Sequence, residues 1–323
     1  MRRRAFLATM LATLCLPRVI TAQSGTKVYR IGWLTAQRAA SLAPYLEAFR
    51  SGLADLGYIE GSNLVIEYRY GDDAIERVPA LAAELVRIPV DLVVAQGAAA
   101  FEIPGLTVPV VYGISADPVS SGFADSLARP RGNMTGLTFM AVEMNGKRLE
   151  LLKEIIPQLR RVAIVGNPEH PGAHLERAFS EEAGRRLGLE IAYFPTRSRD
   201  ELSAAFAVMA EDPPQAISVL ADSFAIQNRQ YIIDLATSRH LPVISGWPVF
   251  ARSGAICTYG PRLIESYRRL AYYVDRILKG AKPSDLPIEQ PTKFELVVNL
   301  QSAKALGITI PQSLEMRADD VIE

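Results

Sequence analysis

The apolar positions of this chain fall into two patterns, short continuous runs and longer stretches with a three-to-four-residue spacing. The runs 28–34 and 91–95 are rich in β-branched residues, which is typical of strands buried on both faces of a parallel sheet. Residues 43–56 carry leucine and phenylalanine at helical spacing and stop before Gly57, so they predict a helix. As far as Gly113, strands and helices alternate. That order predicts an α/β fold with a doubly wound parallel sheet.

The same plan begins again in the second half of the chain. Residues 91–113 comprise a strand, a polar turn, a crossover and a Pro-Val strand that ends at glycine, and residues 216–246 repeat that order. Between the two copies, residues 121–128 predict one more helix. The repeat predicts two doubly wound parallel-sheet lobes joined by a hinge. A chance echo within an ordinary α/β chain is the alternative, since proline often opens a strand.

Two lobes require the chain to cross between them. We place three crossings near residues 140, 248 and 291, the last in a proline-containing connector. The predicted lobes are an N-terminal lobe of residues 28–140 plus 249–291 and a C-terminal lobe of residues 141–248 plus 292–323.

Residues 1–22 differ from the rest of the chain in composition. An arginine triplet at residues 2–4 precedes an apolar run at residues 5–16, and small residues end the segment at Ala22. This order is typical of a secretory signal peptide cleaved near Ala22, and the run is too short to span a membrane. Residues 3–7 resemble the twin-arginine export motif, so Sec and twin-arginine export both remain open. Either signal predicts a mature protein in the periplasm.

Charge and cysteine content narrow the classes of function. The chain has 35 basic and 35 acidic residues, and removal of residues 1–22 takes away four arginines and no acid. The mature chain then carries 31 basic against 35 acidic residues, a net charge of −4, so nucleic acid is not an expected partner. Its one cysteine, Cys257, lies in an apolar run, which predicts a core residue rather than a catalytic thiol.

The sequence carries no enzyme signature. It lacks a G-x-G-x-x-G after a strand, a P-loop, a G-x-S-x-G and an H-E-x-x-H. His170 and His174 are four residues apart, but Pro171 and Gly172 separate them, so a polar loop is favoured over a metal site with Glu169. We therefore expect no catalytic residue, no cofactor and no metal.

Polar and aromatic side chains collect where the predicted strands end. Open α/β sheets bind ligands beyond the carboxyl ends of their strands, so two facing sheets would place these side chains around one cleft. The candidate ligand-binding residues are Thr35, Gln37, Gln96, Gly97, Ala98, Tyr112 and Asp117 in the first half, and Asn167, Asp222, Ser223, Trp247 and Tyr259 in the second.

These residue types suit different parts of a small organic ion. Helix amino termini at Gly97 and Ser223 would offer backbone N–H groups to a carboxylate. Asp117 or Asp222 would pair with an ammonium group. The aromatic residues, Trp247 first among them, would supply flat apolar walls, and a place in the core is their alternative role.

Five segments of the chain resemble a known family. They are Asp117–Val119, Leu127–Leu137, Lys147–Glu154, Leu278–Pro283 and Pro291–Asn299. In them the chain resembles ABC-transporter substrate-binding proteins of the tryptophan/tyrosine-binding type, and the resemblance extends over about residues 29–323. It implies the type I periplasmic binding fold, with a ligand between two lobes and delivery of that ligand to the membrane permease of an ABC importer.

The resemblance also points to residues and ligands. Asn167–Pro168 matches a turn of the family and Ala221–Ser223 matches its second-lobe ligand loop, which favours Asp222 as the ammonium partner. An aromatic amino acid is implied. Pro261 follows Tyr259–Gly260 where such binders tend to carry an acidic residue, so branched amino acids and aromatic carboxylates stay open.

The leading hypothesis is a monomeric periplasmic protein that binds a small molecule and performs no catalysis. An exported cofactor-binding α/β enzyme is the main alternative. The effector domain of a sugar-responsive regulator shares this fold class, but the export signal and the lack of a DNA-binding head argue against it.

Overall fold

The computed structural model describes residues 27–103, 106–140, 142–220 and 222–323, so the predicted signal peptide lies outside the described residues. The strands are β1 (Tyr29–Thr35), β2 (Leu64–Tyr70), β3 (Leu92–Gln96), β4 (Val110–Ile114), β5 (Ala124–Ser126), β6 (Arg129–Pro130), β7 (Met134–Thr138), β8 (Arg161–Gly166), β9 (Glu190–Pro195), β10 (Ala216–Val219), β11 (Val243–Ser245), β12 (Cys257–Pro261), β13 (Phe294–Asn299) and β14 (Asp320–Ile322). The α-helices are α1 (Ala39–Asp55), α2 (Val78–Val86), α3 (Glu143–Ile155), α4 (Ala173–Leu187), α5 (Arg199–Glu211), α6 (Ser223–Gln227), α7 (Arg229–Thr237), α8 (Pro248–Ser253), α9 (Leu263–Leu278), α10 (Leu300–Ala305) and α11 (Gln312–Glu315). No helix within these ranges is long and apolar enough to cross a membrane.

The first sheet is parallel throughout, with the strand order β2-β1-β3-β4-β7. Its strands send alternate side chains to two cores. Trp33 and Leu92 pack with α1 and α9 on one face, whereas Leu34 and Val93 pack with α2 on the other. Burial on both faces explains why these strands are apolar at nearly every position. The prediction of a doubly wound parallel sheet is confirmed.

The second sheet has the strand order β14-β13-β12-β11-β10-β8-β9, and only β12 and β13 pair antiparallel among its described strands. One core lies against α3, α10 and α11, and the other lies against α5, α7 and α8. Cys257 is fully buried in the first of these cores, as the sequence predicts. Burial raises the pKa of its thiol to about 12, so the thiol stays protonated at neutral pH.

The chain passes between the two sheets three times, and the second passage differs from the predicted one. Strand β12 pairs with β11 in the second sheet, whereas α9 packs on α1 against the first sheet. The passage therefore lies between Pro261 and Leu263, and the prediction that residues 249–261 belong to the N-terminal lobe is wrong. An apolar run in the sequence predicts a strand. The sheet that this strand joins depends on which strand lies beside it, and hydrophobicity does not encode that choice.

The prediction of a helix at residues 121–128 is also wrong. Gly122 adopts a left-handed φ of +75°, and the chain then enters the short antiparallel hairpin of β5 and β6. Phe123 packs against Tyr112 with 5.4 Å between ring centroids. A residue in a left-handed conformation cannot continue an α-helix, so the chain forms no helix here despite the helical spacing of its apolar residues.

Candidate ligand-binding site

A cleft lies between the first lobe, which is the first sheet with its helices, and the second lobe, which is the second sheet with its helices. It contains a cavity of about 110 Å³ at the carboxyl ends of the strands. The first lobe contributes Gln37, Ser41, Leu42, Tyr45, Asp73, Gln96, Gly97, Gly113, Ser115, Phe139 and Tyr267 to its lining, and the second contributes Ser223, Ile226, Gln227, Arg229, Trp247 and Val249. Of the sequence candidates, Gln37, Gln96, Gly97, Ser223 and Trp247 meet here.

Aromatic rings form one wall of this cavity. Tyr45 stacks on Tyr267 with 5.0 Å between ring centroids, and Tyr267 stacks on Phe139 at 5.5 Å. Trp247 approaches Phe139 edge-on at 6.2 Å across the cleft. Three rings therefore come from the first lobe and one from the second. We call Tyr45, Phe139, Trp247 and Tyr267 the aromatic wall.

The two tyrosines of the aromatic wall are buried. Burial raises the pKa of Tyr45 to about 12, and burial also raises the pKa of Tyr267. Both phenols therefore remain neutral at physiological pH. They can donate a hydrogen bond without adding charge to the cavity.

Gln96 brings a buried amide to the same cavity. Its side chain is 2% exposed, and neither its Oε1 nor its Nε2 has a hydrogen-bond partner among the described residues. A Cβ atom on Gly113 would lie 2.8 Å from Gln96 Oε1, so a side chain at position 113 would displace the amide. A glycine on β4 thus makes room for Gln96.

Two charged side chains of the cavity lining come from different lobes. Arg229, at the start of α7, donates from Nη1 to the carbonyl oxygen of Ile226 at 2.9 Å, and no described carboxylate lies within 4.0 Å of its guanidinium. Asp73 in the first lobe pairs with Arg38, with 2.7 Å between Oδ2 and Nε. The cleft can therefore receive a carboxylate at Arg229, whereas an ammonium group at Asp73 would share that carboxylate with Arg38.

A second cavity, of about 510 Å³, adjoins the first. The two share Gly97, Ser115, Ser223 and Gln227. The second cavity also contains the sequence candidates Ala98, Asn167 and Asp222. We call the first cavity the aromatic compartment and the second, whose lining includes Glu169, His170 and Asp222, the polar compartment; the two are joined along a shared rim.

The lobes touch beside the polar compartment. His170 Nε2 lies 2.5 Å from the carbonyl oxygen of Ser115, and the backbone N–H of Asp117 donates to the carbonyl of Pro171 at 3.2 Å. Both contacts join the loop after β8 to the segment after β4. They hold the two walls of the cleft together.

The two candidate aspartates have structural partners. Asp222 is 2% exposed and caps α6, because Oδ1 accepts from Ala225 N–H at 2.9 Å and Oδ2 accepts from Asn167 N–H at 3.3 Å. Burial raises the pKa of this carboxyl. Asp117 accepts from Ser120 N–H at 2.7 Å and lines neither cavity. Asp222 therefore reaches the polar compartment as a helix cap.

Three further candidates lie outside both cavities. Tyr112 is fully buried against Phe123 in the core beside α2. Thr35 is fully buried and accepts from Gln37 N–H at 3.1 Å. Tyr259 stacks on Phe294 of the neighbouring strand with 6.0 Å between ring centroids. In each case the side chain points to a face of the sheet, since alternate residues of a strand point to opposite faces.

Sequence reasoning missed most of the aromatic wall. Tyr45 and Tyr267 lie on α1 and α9 at helical spacing, where an aromatic residue ordinarily packs in the core. Arg229 and Asp73 lie in polar segments without any motif. Only the packing of α9 against α1 brings Tyr45 and Tyr267 together in the wall of the cleft.

The described residues offer no metal site. Within the ranges that the structure describes, no group of three His, Cys, Asp or Glu side chains could hold a metal ion. The cleft instead combines flat rings, one buried amide and two ionic groups. That combination suits a small organic ion.

Residues 38–322 match the family model described as ABC transporter substrate binding protein. The chain belongs to this family. Its members are solute-binding proteins rather than enzymes, which decides against the exported enzyme considered above. They work outside the cytoplasm with the permease of an ABC transporter.

Several relatives resemble this substrate-binding protein over most of its length. A solved structure of an ABC domain from Streptococcus pneumonia in complex with L-Trp is 23% identical, covers 92% of this chain and 100% of its own, and has a TM-score of 0.84. A conserved domain protein from Vibrio cholerae O1 biovar El Tor is 24% identical over 91% of this chain and 100% of its own, with a TM-score of 0.83. The tyrosine-binding protein of Clostridioides difficile (strain R20291) is 22% identical over 276 residues, 83% of this chain and 78% of the relative. These likenesses support the type I periplasmic binding fold.

Proposed function

We propose that this chain is the periplasmic solute-binding component of an ABC importer. It binds an aromatic amino acid, or a related aromatic carboxylate, between its two lobes. Hinge closure traps the ligand, and the closed protein delivers it to a membrane permease. The protein acts as a monomer, exported by the signal predicted at residues 1–22, and nucleic acid has no part in this function.

The aromatic wall is the observation that carries this proposal. Tyr45, Phe139 and Tyr267 present rings from one lobe and Trp247 presents a ring from the other. A flat ligand ring packed against this wall would gain roughly 0.5–1.5 kcal/mol per aromatic pair beyond its burial. Such a ring would contact both lobes, because Trp247 belongs to the opposite lobe from the other three residues.

The ionic groups of the cleft support an amino acid or an acid as ligand. Arg229 lacks an acidic partner among the described residues, so a ligand carboxylate would satisfy its guanidinium. Asp73 carries negative charge into the same cavity and would attract an ammonium group. The tyrosine-binding relative and the L-Trp complex agree with such a ligand. Branched amino acids lack the ring that would stack here, so they are the second candidate.

A thermal-shift screen tests the proposal. The mature protein is heated with each common L-amino acid, with indole-3-acetate and 4-hydroxyphenylacetate, and with no ligand. A true ligand at 100 times its Kd stabilises the protein by about 2.7 kcal/mol. We expect stabilisation by aromatic compounds and not by leucine, isoleucine or valine.

Two variants make the screen specific to the cleft. Trp247→Ala should abolish the shift, because it removes the ring that the second lobe adds to the aromatic wall. Phe179→Ala is the matched control, since Phe179 is a 41% exposed ring on α4 outside both cavities. Stabilisation by branched amino acids alone would overturn the aromatic ligand, and an equal loss in both variants would remove the cleft from the explanation.

A further inference from the structure

The amide of Gln96 is the most deeply buried polar group of the aromatic compartment that lacks a partner. It is 2% exposed, and both Oε1 and Nε2 are unpaired among the described residues. Buried amides are nearly always hydrogen-bonded, because an unpaired group forfeits its bonds to water. Gln96 lines the cavity, so the missing partner is a group that enters the cavity.

The local structure holds this amide beside the aromatic wall. A Cβ atom on Gly113 would meet Gln96 Oε1 and Phe139 Cζ at the same distance, 2.8 Å, so both side chains lie over this glycine. Phe139 in turn stacks on Tyr267. A ring that packs on Phe139 and Tyr267 would therefore bring its edge to the amide.

The charged side chains of the cleft suit the charged ends of a ligand, so the Gln96 amide remains available to the ligand's ring. Arg229 and Asp73 are only partly buried, whereas Gln96 is almost fully buried. A ligand's charged ends are stabilised most by oppositely charged partners, so they pair with Arg229 and Asp73. The neutral amide then faces the uncharged part of the ligand.

We infer that Gln96 is a specificity-determining residue, and that the ligand's ring carries a hydrogen-bonding group at its edge, such as a phenol hydroxyl or an indole N–H. This inference rests on the proposed function, since it assumes an aromatic ligand. An unsubstituted ring would leave the buried amide unpaired on closure. Sites that bury a polar group reject analogues without its partner far more strongly than apolar pockets distinguish one methylene from another.

Isothermal titration with L-tyrosine, L-tryptophan and L-phenylalanine tests the inference on the whole mature protein. We expect the parent protein to bind tyrosine or tryptophan at least tenfold more tightly than phenylalanine, a factor within the range that leaving a buried polar group unpaired costs. Gln96→Leu keeps the size of the side chain and removes its polar group. It should reduce that preference at least tenfold while phenylalanine binding stays the same or improves.

Gln230→Leu is the matched control. Gln230 is an exposed residue of α7 outside both cavities, where its Nε2 donates to Asp234 Oδ1 at 2.9 Å, and the same chemical change there should leave the ratio between the three ligands unaltered. Circular dichroism checks that both variants fold. The preference of the parent protein is measured without any variant, so it tests the inference even if Gln96→Leu does not fold.

The outcomes separate the two proposals. Equal binding of all three ligands by the parent protein would overturn the role of Gln96 and leave the aromatic ligand intact. An equal loss of all three in Gln96→Leu would show that the amide holds a part common to them and would also overturn it. Binding of none of the three, with binding of a branched amino acid, would overturn the proposed function itself.

Discussion

At the scale of single residues, the ionisable side chains of the cleft differ in whether they already have partners within the protein. Asp222 accepts hydrogen bonds from backbone N–H groups and caps a helix, so its carboxyl oxygens already have partners within the protein. Arg229 has only a carbonyl as its partner and faces the cavity. The charge without a protein counter-ion is the better candidate for binding a ligand.

Substitution of Arg229 tests that distinction. Arg229→Gln should weaken binding of an aromatic amino acid about tenfold or more, because a hydrogen bond to a charged group contributes roughly 1.5–3 kcal/mol. The corresponding amine without a carboxylate, tyramine or tryptamine, should bind both proteins alike. Isothermal titration measures both effects.

Arg239 offers a close control for Arg229. It follows α7, the helix that Arg229 begins, and donates from Nη1 to the carbonyl of Leu235 at 3.0 Å, outside the cavity. Arg239→Gln should leave binding unchanged. If both variants lose affinity equally, Arg229 has no direct contact with the carboxylate.

At the scale of elements, α3 and α4 enclose a polar cluster in the second lobe. Arg148 on α3 donates from Nε to the carbonyl of Tyr259 at 2.8 Å, and burial lowers its pKa to about 10, so it remains charged. Burial raises the pKa of Glu176 on α4, while His170, Arg148 and the hydrogen bond from Asn145 oppose the shift and Asp222 adds to it. The cluster is therefore costly to keep ionised.

This cluster predicts a pH-dependent contribution to stability. Because the pKa of Glu176 is raised on folding, its favourable contribution is complete below its ordinary pKa and is lost as pH rises through the folded value. The free energy of unfolding of the parent minus that of Glu176→Gln should therefore decline from about pH 4.5 towards neutral. Urea unfolding of both proteins across this range measures the difference.

Glu182 lies on the same helix, and its expected contribution to stability depends on pH in the opposite direction. Its carboxyl is exposed, and the hydrogen bond from Arg185 lowers its pKa. A carboxyl whose pKa is lowered on folding contributes stability at pH values above its ordinary pKa, and this contribution is lost as pH falls. The free energy of unfolding of the parent minus that of Glu182→Gln should therefore show no decline towards neutral pH. A flat difference for Glu176→Gln would mean that its carboxyl is not perturbed by burial.

At the scale of the whole molecule, the two lobes are joined by three chain passages and by contacts across the cleft. His170 contacts Ser115, and Trp247 contacts Phe139. In the proposed function, a ligand that contacts both lobes would stabilise a closed arrangement over an open one. It can shift this equilibrium only by its difference in affinity for the two states.

Small-angle scattering tests the closure. Saturating aromatic ligand should decrease the radius of gyration of the mature protein, because a bound ligand holds both lobes together. Trp247→Ala at the same ligand concentration should keep the ligand-free radius. An unchanged radius in the parent protein at saturation would contradict a two-lobed trap.

Much of the architecture follows from local pattern. The strands β1, β3, β4, β8, β10 and β11 are apolar on both faces, and helices with a periodic apolar stripe lie between many of the strands, so the doubled α/β plan is readable in the sequence. Strand ends also carry information, since Gln37, Gln96, Gly97, Ser223 and Trp247 all reach the cleft. The parallel sheet itself brings its carboxyl ends to one edge.

Other features were decided by tertiary structure. The sequence alone determined the fold class, the buried cysteine and part of the cleft, because periodicity and strand ends are local properties. The sheet to which β12 belongs and the convergence of Tyr45, Tyr267 and Arg229 depend on which elements lie side by side. Hydrophobic burial is non-directional, so it favours a tyrosine in a core and a tyrosine in a cleft wall equally. For Tyr45 and Tyr267, the packing of α9 on α1 decides which of these two places the ring takes.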